Sequence, residues 1–241
     1  MDIFQRDLEY NYICQYLKPH MRVLEVGCGN GYSTNLFRAL TQHVDAFDYS
    51  EDMIERAKAS FGERNNRFIH DNILALRHIH ELYDAVICIR VLINLRNLKE
   101  QKLALRNLAP LVKPNGLLIL AEGFIEGFKA LSDLRRKVGL LPLEPAKINF
   151  YSSVRELLPK LGKDFVLEDK FHLGIYDYLT RVFYPLVVGP ENVKHNTVFS
   201  EKAMQLAREF NPDSFEQFSR MLGFVFRKYS ELSGIPCTSI R

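Results

Sequence analysis

The residues best placed to do chemistry are the run Glu25-Val26-Gly27-Cys28-Gly29-Asn30-Gly31, three alternating glycines behind a carboxylate. A glycine-rich turn between a strand and a helix lets a ligand approach the backbone, with the helix N-terminus close by. The dinucleotide fingerprint is GxGxxG, but here the third glycine comes one residue early and Tyr32 stands at the expected place. Glu25 suits an amino-acid ammonium group better than a pyrophosphate. Asp48 lies 21 residues after Gly27, where a carboxylate ending the next strand can take both hydroxyls of a ribose. Asp71, followed by Asn72, ends a third strand and is placed for the exocyclic amine of a purine. In this order the loop and its two following acids are a far stronger signal than the loop alone.

These groups need strands and helices to hold them, and the apolar periods supply both. Residues 3–17 put Ile3, Tyr10, Ile13, Cys14 and Leu17 near one helical face, and Pro19 ends that helix. Strands are expected at 22–26, 44–48, 67–70, 83–89 and 117–121, with helices over 32–41, from Ser50-Glu51-Asp52 onward, and from Asn97 to residue 112. Lys113-Pro114-Asn115-Gly116 reads as a turn. Alternation at this spacing predicts a parallel, doubly wound sheet with right-handed crossovers. Farther on, Ser153-Val154-Arg155-Glu156 resembles a capping box, and 164–172 and 223–229 read as two more strands. The stretch between those strands, 173–222, is about ten times longer than a hairpin needs, and holds a helical segment at 200–210. It reads as a lid or a dimer element on a single domain spanning 1–241, not as a second domain.

Composition narrows the class. The chain has 241 residues, 47% hydrophobic and 25% charged, enough to bury a core without disulfide or metal staples. Its 32 basic and 29 acidic residues leave +3, too mild a surplus to advertise nucleic acid. The four cysteines, Cys14, Cys28, Cys88 and Cys237, show neither CxxC pairs nor His spacing, so neither a disulfide framework nor a metal site is expected. No signal-peptide pattern opens the chain and no apolar run is long enough to span a membrane, which predicts a cytoplasmic protein without membrane insertion.

The loop and acids together resemble the class I S-adenosylmethionine-dependent methyltransferases over residues 20–125. The family's first motif, E/DxGxGxG, is matched by Glu25 through Gly31. Its ribose-binding acid matches Asp48 in FDYSEDMIERA, and its adenine-binding acid matches Asp71. YDAVICIRVLINL matches the fourth-strand motif, and LVKPNGLLILAEG the turn before the fifth strand. The resemblance implies an α/β, Rossmann-like, doubly wound seven-stranded sheet, mostly parallel with its last strand antiparallel. It also implies S-adenosylmethionine as cofactor, S-adenosylhomocysteine as product, and no metal. The cofactor contacts so implied are Glu25, Gly27, Cys28, Gly29, Gly31, Asp48, Tyr49, Met53, Asp71, Asn72, Ile73, Ile89 and Arg90. Downstream, AEGFIEGFKALSDLRRKVGL and YLTRVFYPLV look like a bacterial subgroup associated with surface-polysaccharide, nucleotide-sugar and specialised-metabolite gene clusters. That implies a small polar acceptor: a sugar, a carboxylate or another anionic metabolite. Lys147-Ile148-Asn149 stands where the subgroup carries an aromatic-His-Asn triplet, so a base on that histidine is absent here.

Methyl transfer from a sulfonium is an in-line displacement in which positioning supplies much of the rate. A high-pKa oxygen acceptor wants a general base, whereas a carboxylate does not; O-methylation is the favoured reading. In open α/β sheets ligands sit beyond the carboxyl ends of the strands. The acceptor side is therefore expected in 126–163 and 173–222, with Glu122, Arg135, Asn149, Tyr151, Tyr178 and Arg181 as acceptor-binding candidates. His70, His172 and Glu122 are the weak candidates for a base. The tyrosines and apolar residues of 176–188 suit a homodimer surface as readily as a lid. Two alternatives stand beside the methyltransferase reading. One is a cofactor-binding regulatory or partner subunit without catalysis, and the other an NAD(P)-dependent oxidoreductase, which GxGxG and Glu25 disfavour. A nucleic-acid methyltransferase is disfavoured too: Arg90-Val91-Leu92-Ile93 replaces the Asn/Asp-Pro-Pro-aromatic run, and Pro236-Cys237 lies in the tail.

Overall fold

A computed structural model describes residues 2–230, so Cys237 lies outside the described residues. In chain order the elements are α1 (Ile3–Cys14), β1 (Arg22–Val26), α2 (Tyr32–Phe37), β2 (His43–Asp48), α3 (Glu51–Phe61), β3 (Asn66–His70) and β4 (Tyr83–Ile89). They continue with α4 (Leu98–Leu108), β5 (Val112–Gly123), α5 (Ile125–Lys137), α6 (Val154–Leu157) and β6 (Phe165–His172). Last come α7 (Gly174–Tyr178), α8 (Tyr184–Val188), α9 (Val198–Glu209) and β7 (Met221–Lys228). Side-chain caps set several helix starts, as short polar residues do when they accept an otherwise unpaired amide. Asp2 accepts from the Gln5 amide at 3.1 Å, Asn97 from Glu100 at 3.0 Å and Thr197 from Ser200 at 3.3 Å.

The strands form one sheet in the order β3-β2-β1-β4-β5-β7-β6. The pairs β1–β2, β1–β4, β2–β3 and β4–β5 are parallel, whereas β7 runs antiparallel to both β5 and β6. This is the expected doubly wound sheet with its antiparallel last strand, and it puts the ends of β1, β2, β4 and β5 on one edge. Because side chains alternate across a strand, the sheet separates two cores. Leu24, Val26, Val86, Cys88, Leu118 and Leu120 pack with α4 residues Ala104, Leu105 and Leu108 on one face. Val23, Ala85, Ile87, Ile119 and Ala121 pack with α1, α2 and α3 residues on the other.

Several bounds differ from the sequence reading: the helix expected to run to residue 112 ends at Leu108, and the last strand is Met221–Lys228. The second helix stops at Phe37 rather than at residue 41, and the Thr41 hydroxyl donates to the Phe37 carbonyl at 2.8 Å. The fifth strand begins at Val112 and absorbs the expected turn as an irregularity: Tyr83 pairs with Val112, then Ala85 with Leu117. Segment 173–222 packs on α1 through a third core of Leu8, Leu173, Ile175, Tyr176, Ala203, Met204, Ala207 and Met221. Phe183, Leu186 and Val187 stay exposed on it.

Beneath that third core runs a line of charge. Asp177, fully buried, accepts from the Arg220 amide at 2.9 Å and from its guanidinium at 2.9 and 2.7 Å. Arg181 lies 4.0 Å from Asp177 and 3.0 Å from Asp2, which also accepts from Tyr176 at 2.7 Å. Arg220 donates to Gln5 at 3.1 Å. The network thereby ties the start of α1 to α7 and to the approach to β7. Removing one partner of a buried pair strands the other charge, at a cost of about 3–5 kcal/mol. Asp177→Ala should lose about that much in chemical denaturation, and a loss below about 1 kcal/mol would mean that the network contributes no net stability.

Candidate functional site

A cleft of about 560 Å³ opens at the carboxyl edge of the sheet, walled by the loop after β1, the end of β4 and residues of α1, α2 and α3. The three glycines of the loop have different tasks. All have positive φ (69°, 53° and 79°), the region glycine reaches without penalty. A Cβ on Gly27 would sit 2.3 Å from Val91, and one on Gly31, the N-cap of α2, 2.8 Å from Phe68. A Cβ on Gly29 would meet nothing within 4 Å, so its open side belongs to the cleft. The loop is held from below by the Phe47 carbonyl, which accepts from the Gly27 and Cys28 amides at 2.8 and 3.0 Å. Asp48 accepts from the Gly29 amide at 2.9 Å and, with its other oxygen, from Ser50 at 2.9 Å.

Glu25 lies in the wall of the cleft but is only 2% exposed. It accepts hydrogen bonds from the Ser33 and Thr34 hydroxyls in the first turn of α2. Burial pushes its carboxyl up to about 7; the two hydroxyls oppose the shift and the nearby Asp48 charge adds to it. Cys28, Met53, Ile89 and Arg90 complete the predicted residues lining the cleft. Burial raises the thiols of Cys28 and Cys88, with the neighbouring carboxylates adding to the effect, so neither is a ready nucleophile. Beside the cleft a second hollow, about 370 Å³, gathers Tyr49, His70, Asp71 and Asn72 with Arg77 and His78.

Several expected ligand residues have other work. Asp71 accepts from the amides of Asn72, Arg77 and His78 at 2.8–3.1 Å, so its carboxylate organises its own turn. Ile73 is buried in the core on the α4 side. Glu122 does not face an acceptor: it has no exposed surface, and it accepts from the Val91, Leu92 and Ile93 amides at 2.8, 2.9 and 3.3 Å. Burial lifts its carboxyl to about 7 against those same amides. Arg90, which follows β4, adopts φ 53° without being glycine, a strained conformation of the kind concentrated at functional sites.

The acceptor-side candidates do not converge on one pocket. Arg135 donates to the Leu141 and Arg181 carbonyls, and Arg181 is engaged by Asp2. Tyr178 packs against both Phe215 and Phe218, with ring centroids 5.3 and 6.3 Å away. Tyr151 and Asn149 do meet, 3.3 Å apart, where the Tyr151 ring covers Gly123 at the end of β5. Of the candidate bases, His70 contacts the Tyr49 carbonyl at 3.0 Å in the second hollow. His172 ends β6, the outermost strand; its Nδ1 accepts from Gly174 at 3.2 Å, and burial lowers its proton affinity. Among the described residues no group of three or more His, Cys, Asp or Glu is placed to hold a metal, and no helix is long and apolar enough to cross a membrane.

Sequence reading missed the contribution of α1. Arg6 and Tyr10 line the cleft, with the Arg6 guanidinium 4.0 Å above the Tyr32 ring. The signal was there in Gln5 and Glu9, polar residues at i and i+4 on a face that also carries Leu8 and Ile13. Sequence reading also missed Ser33 and Thr34, which follow Tyr32 in the first turn of α2; hydroxyls so close to the glycine run were the available signal.

Residues 23–116 match the family described as "Methyltransferase domain". Over 113 residues the chain is 34% identical to a malonyl-[acyl-carrier protein] O-methyltransferase of Bacillus cereus, a match covering 46% of this chain and 40% of that protein. The chain therefore spans less than half the length of that relative. Among solved structures, the N-methyltransferase NodS from Bradyrhizobium japonicum WM9, in complex with S-adenosyl-L-homocysteine, superposes with a TM-score of 0.57. Its identity is 14%, over 94% of this chain and 88% of that one. The [4+2]-cyclase SpnF superposes with a TM-score of 0.60 at 14% identity, over 92% and 81%. At these identities the structural likenesses show the fold alone.

Two outcomes follow from the loop. A carboxyl raised in the folded state stabilises the fold fully below its unfolded value near 4.5, and that stability is lost as pH rises through about 7. Glu25→Gln should flatten part of the decline in stability between pH 4.5 and 7, on the order of 2–3 kcal/mol, leaving the part due to Glu122. Melting curves across that range that coincide for the two proteins would refute the assignment. Gly27→Ala, colliding with Val91, should lower Tm well beyond Gly29→Ala, whose cost is about the ~1–2 kcal/mol of a left-handed non-glycine residue. Equal losses would contradict this division of labour.

Proposed function

Because the fold and residues 23–116 are those of a class I S-adenosylmethionine-dependent methyltransferase, we propose that this chain transfers a methyl group from S-adenosylmethionine to a small polar acceptor. The observation that carries the proposal is the open side of Gly29 in a cleft whose wall holds Glu25, with Asp48 bonded to the Gly29 amide. Glu25 stands at the cleft wall for the amino-acid ammonium, and Asp48, already hydrogen-bonded to the Gly29 amide, stands for the ribose hydroxyls. Each carboxylate can accept further hydrogen bonds beyond those it makes within the protein. Tyr49 and Asn72, in the adjoining hollow, are proposed to flank the purine, with Asp71 shaping that turn. The likeness to a [4+2]-cyclase is a reason to rest the reaction on these residues rather than on the fold, since one fold hosts many chemistries.

The reaction is an in-line displacement at the methyl carbon. The chain's part is to hold donor and acceptor in line and keep water out. We read the molecule as one domain, with residues 20–125 binding the cofactor and 126–163 and 173–222 forming the acceptor side. Tyr151 and Asn149, over the end of β5, are the acceptor candidates nearest the carboxyl edge of the sheet. O-methylation of a sugar or another small polar metabolite is the favoured outcome.

Calorimetric titration of S-adenosylhomocysteine, with NAD as the control ligand, tests the proposal. Micromolar binding is expected for the first and none for NAD. Asp48→Ala should weaken the first by ~1.5–3 kcal/mol, the scale of a hydrogen bond to a charged group. Unchanged affinity would remove Asp48 from the ribose site, and binding of NAD instead would make the chain an oxidoreductase.

A further inference from the structure

Glu9 is a carboxylate beside the cleft to which the cofactor proposal gives no task. It is 1% exposed. Its Oε1 accepts from Gln5 Nε2 at 2.9 Å, but Oε2 has no hydrogen-bond partner among the described residues. Arg90 Nε lies 3.4 Å from that oxygen, a loose ion pair. A buried carboxylate oxygen without a donor is costly, and a catalytic role is one of the reasons folded proteins carry such groups.

Its surroundings supply one. Arg6 and Tyr10, on the same helix, and Arg90, from the turn after β4, all line the cleft. The charged groups around Glu9 are Arg90, Asp177 of α7 and Arg220 before β7, with Gln5 on its own helix. Burial raises its proton affinity; Arg90 and Gln5 oppose that, Asp177 adds to it and Arg220 opposes it. Burial thus makes this carboxylate a better proton acceptor than an exposed one, as suits a general base. Ile89 and Arg90, at the end of β4, form part of the same cleft wall as Glu25, the residue that would hold the cofactor's amino-acid group. Glu9 stands directly behind that wall.

We propose that Glu9 is the catalytic base of the transfer, and that the acceptor is a hydroxyl compound rather than a carboxylate. The inference rests on the cofactor reading above. On cofactor binding the Arg90 side chain, 27% exposed, swings aside and uncovers Glu9 Oε2 to the methyl and the acceptor. A lone pair of the acceptor oxygen attacks the methyl carbon as the carbon–sulfur bond breaks and its electron pair returns to sulfur. The hydroxyl proton passes to Glu9 Oε2 and leaves to solvent with product release. Sulfonium, alcohol and carboxylate become thioether, methyl ether and carboxylic acid, so atoms and charge balance.

The test needs no identified acceptor. Sinefungin carries an ammonium group where the transferable methyl would sit, whereas S-adenosylhomocysteine carries nothing there. Their affinity ratio therefore reads a carboxylate facing the methyl, and contacts shared by both ligands cancel. Wild type should bind sinefungin about tenfold or more tighter, as expected of one added charged hydrogen bond. That preference should fall as pH drops and Glu9 is protonated. Glu9→Gln, which keeps the shape and the Gln5 contact, should leave S-adenosylhomocysteine affinity within about threefold. It should also abolish the sinefungin preference at every pH. Equal binding of the two ligands by wild type, or a preference that survives in Glu9→Gln, overturns the role of Glu9 while leaving the cofactor assignment standing. Failure of wild type to bind S-adenosylhomocysteine overturns both.

Discussion

The carboxylate of Glu122 fixes the geometry on which the cleft depends. Buried at the end of β5, it collects the amides of Val91, Leu92 and Ile93 and so dictates the path of the chain as it leaves β4. That path presses Val91 against Gly27, where no Cβ could fit, and sets Arg90 in its left-handed conformation at the mouth of the cleft. Three amides converging on one carboxylate outweigh the strain of a single left-handed arginine, since hydrogen bonds to a charged group contribute about 1.5–3 kcal/mol each. The glycine loop is thus clamped from two sides: by the Phe47 carbonyl beneath it and by the β4 turn beside it.

The second constraint comes from α1. Its apolar side packs into the sheet through Ile13 and against segment 173–222 through Leu8. Its polar members, Gln5 and Glu9, link Arg90 at the cleft to Arg220 and Asp177. The acceptor-side segment is therefore coupled to the cleft through buried charge as well as through apolar packing. A displacement of α1 would have to break both, which makes the helix a rigid part of the site.

Much of the sheet was legible because β1, β4 and the 117–121 part of β5 are short, mostly apolar runs next to a glycine, an acid or a turn. Glu25, Gly27, Gly29 and Asp48 were legible for a related reason: they are close in sequence and ordered by the strand–turn–helix unit that carries them. The network from Asp2 to Arg220 was not, since the bonds that join Asp2 and Gln5 to it span 174 to 215 residues and a lone arginine looks alike on a surface or in an ion pair. Arg181 shows the consequence, a cation expected for an anionic ligand that Asp2 engages instead. Glu122 was misread for a different cause. A strand-end acid can face a ligand or a neighbouring backbone, and only the turn after β4 decides which.

Burial raises the proton affinity of three carboxylates, Glu122, Glu25 and Glu9, and they differ in how completely the protein satisfies them. Glu122 has three backbone amides, Glu25 two hydroxyls, and Glu9 one side-chain amide and a guanidinium paired at 3.4 Å without a hydrogen bond. Satisfaction falls in that order, from a carboxylate that shapes the scaffold to one whose second oxygen is left open behind Arg90. A core selected for stability alone would place neutral side chains at all three positions, because desolvating a charge is costly unless its hydrogen bonds are complete. The carboxylate least compensated by the protein is therefore the one whose retention most needs chemistry to explain it.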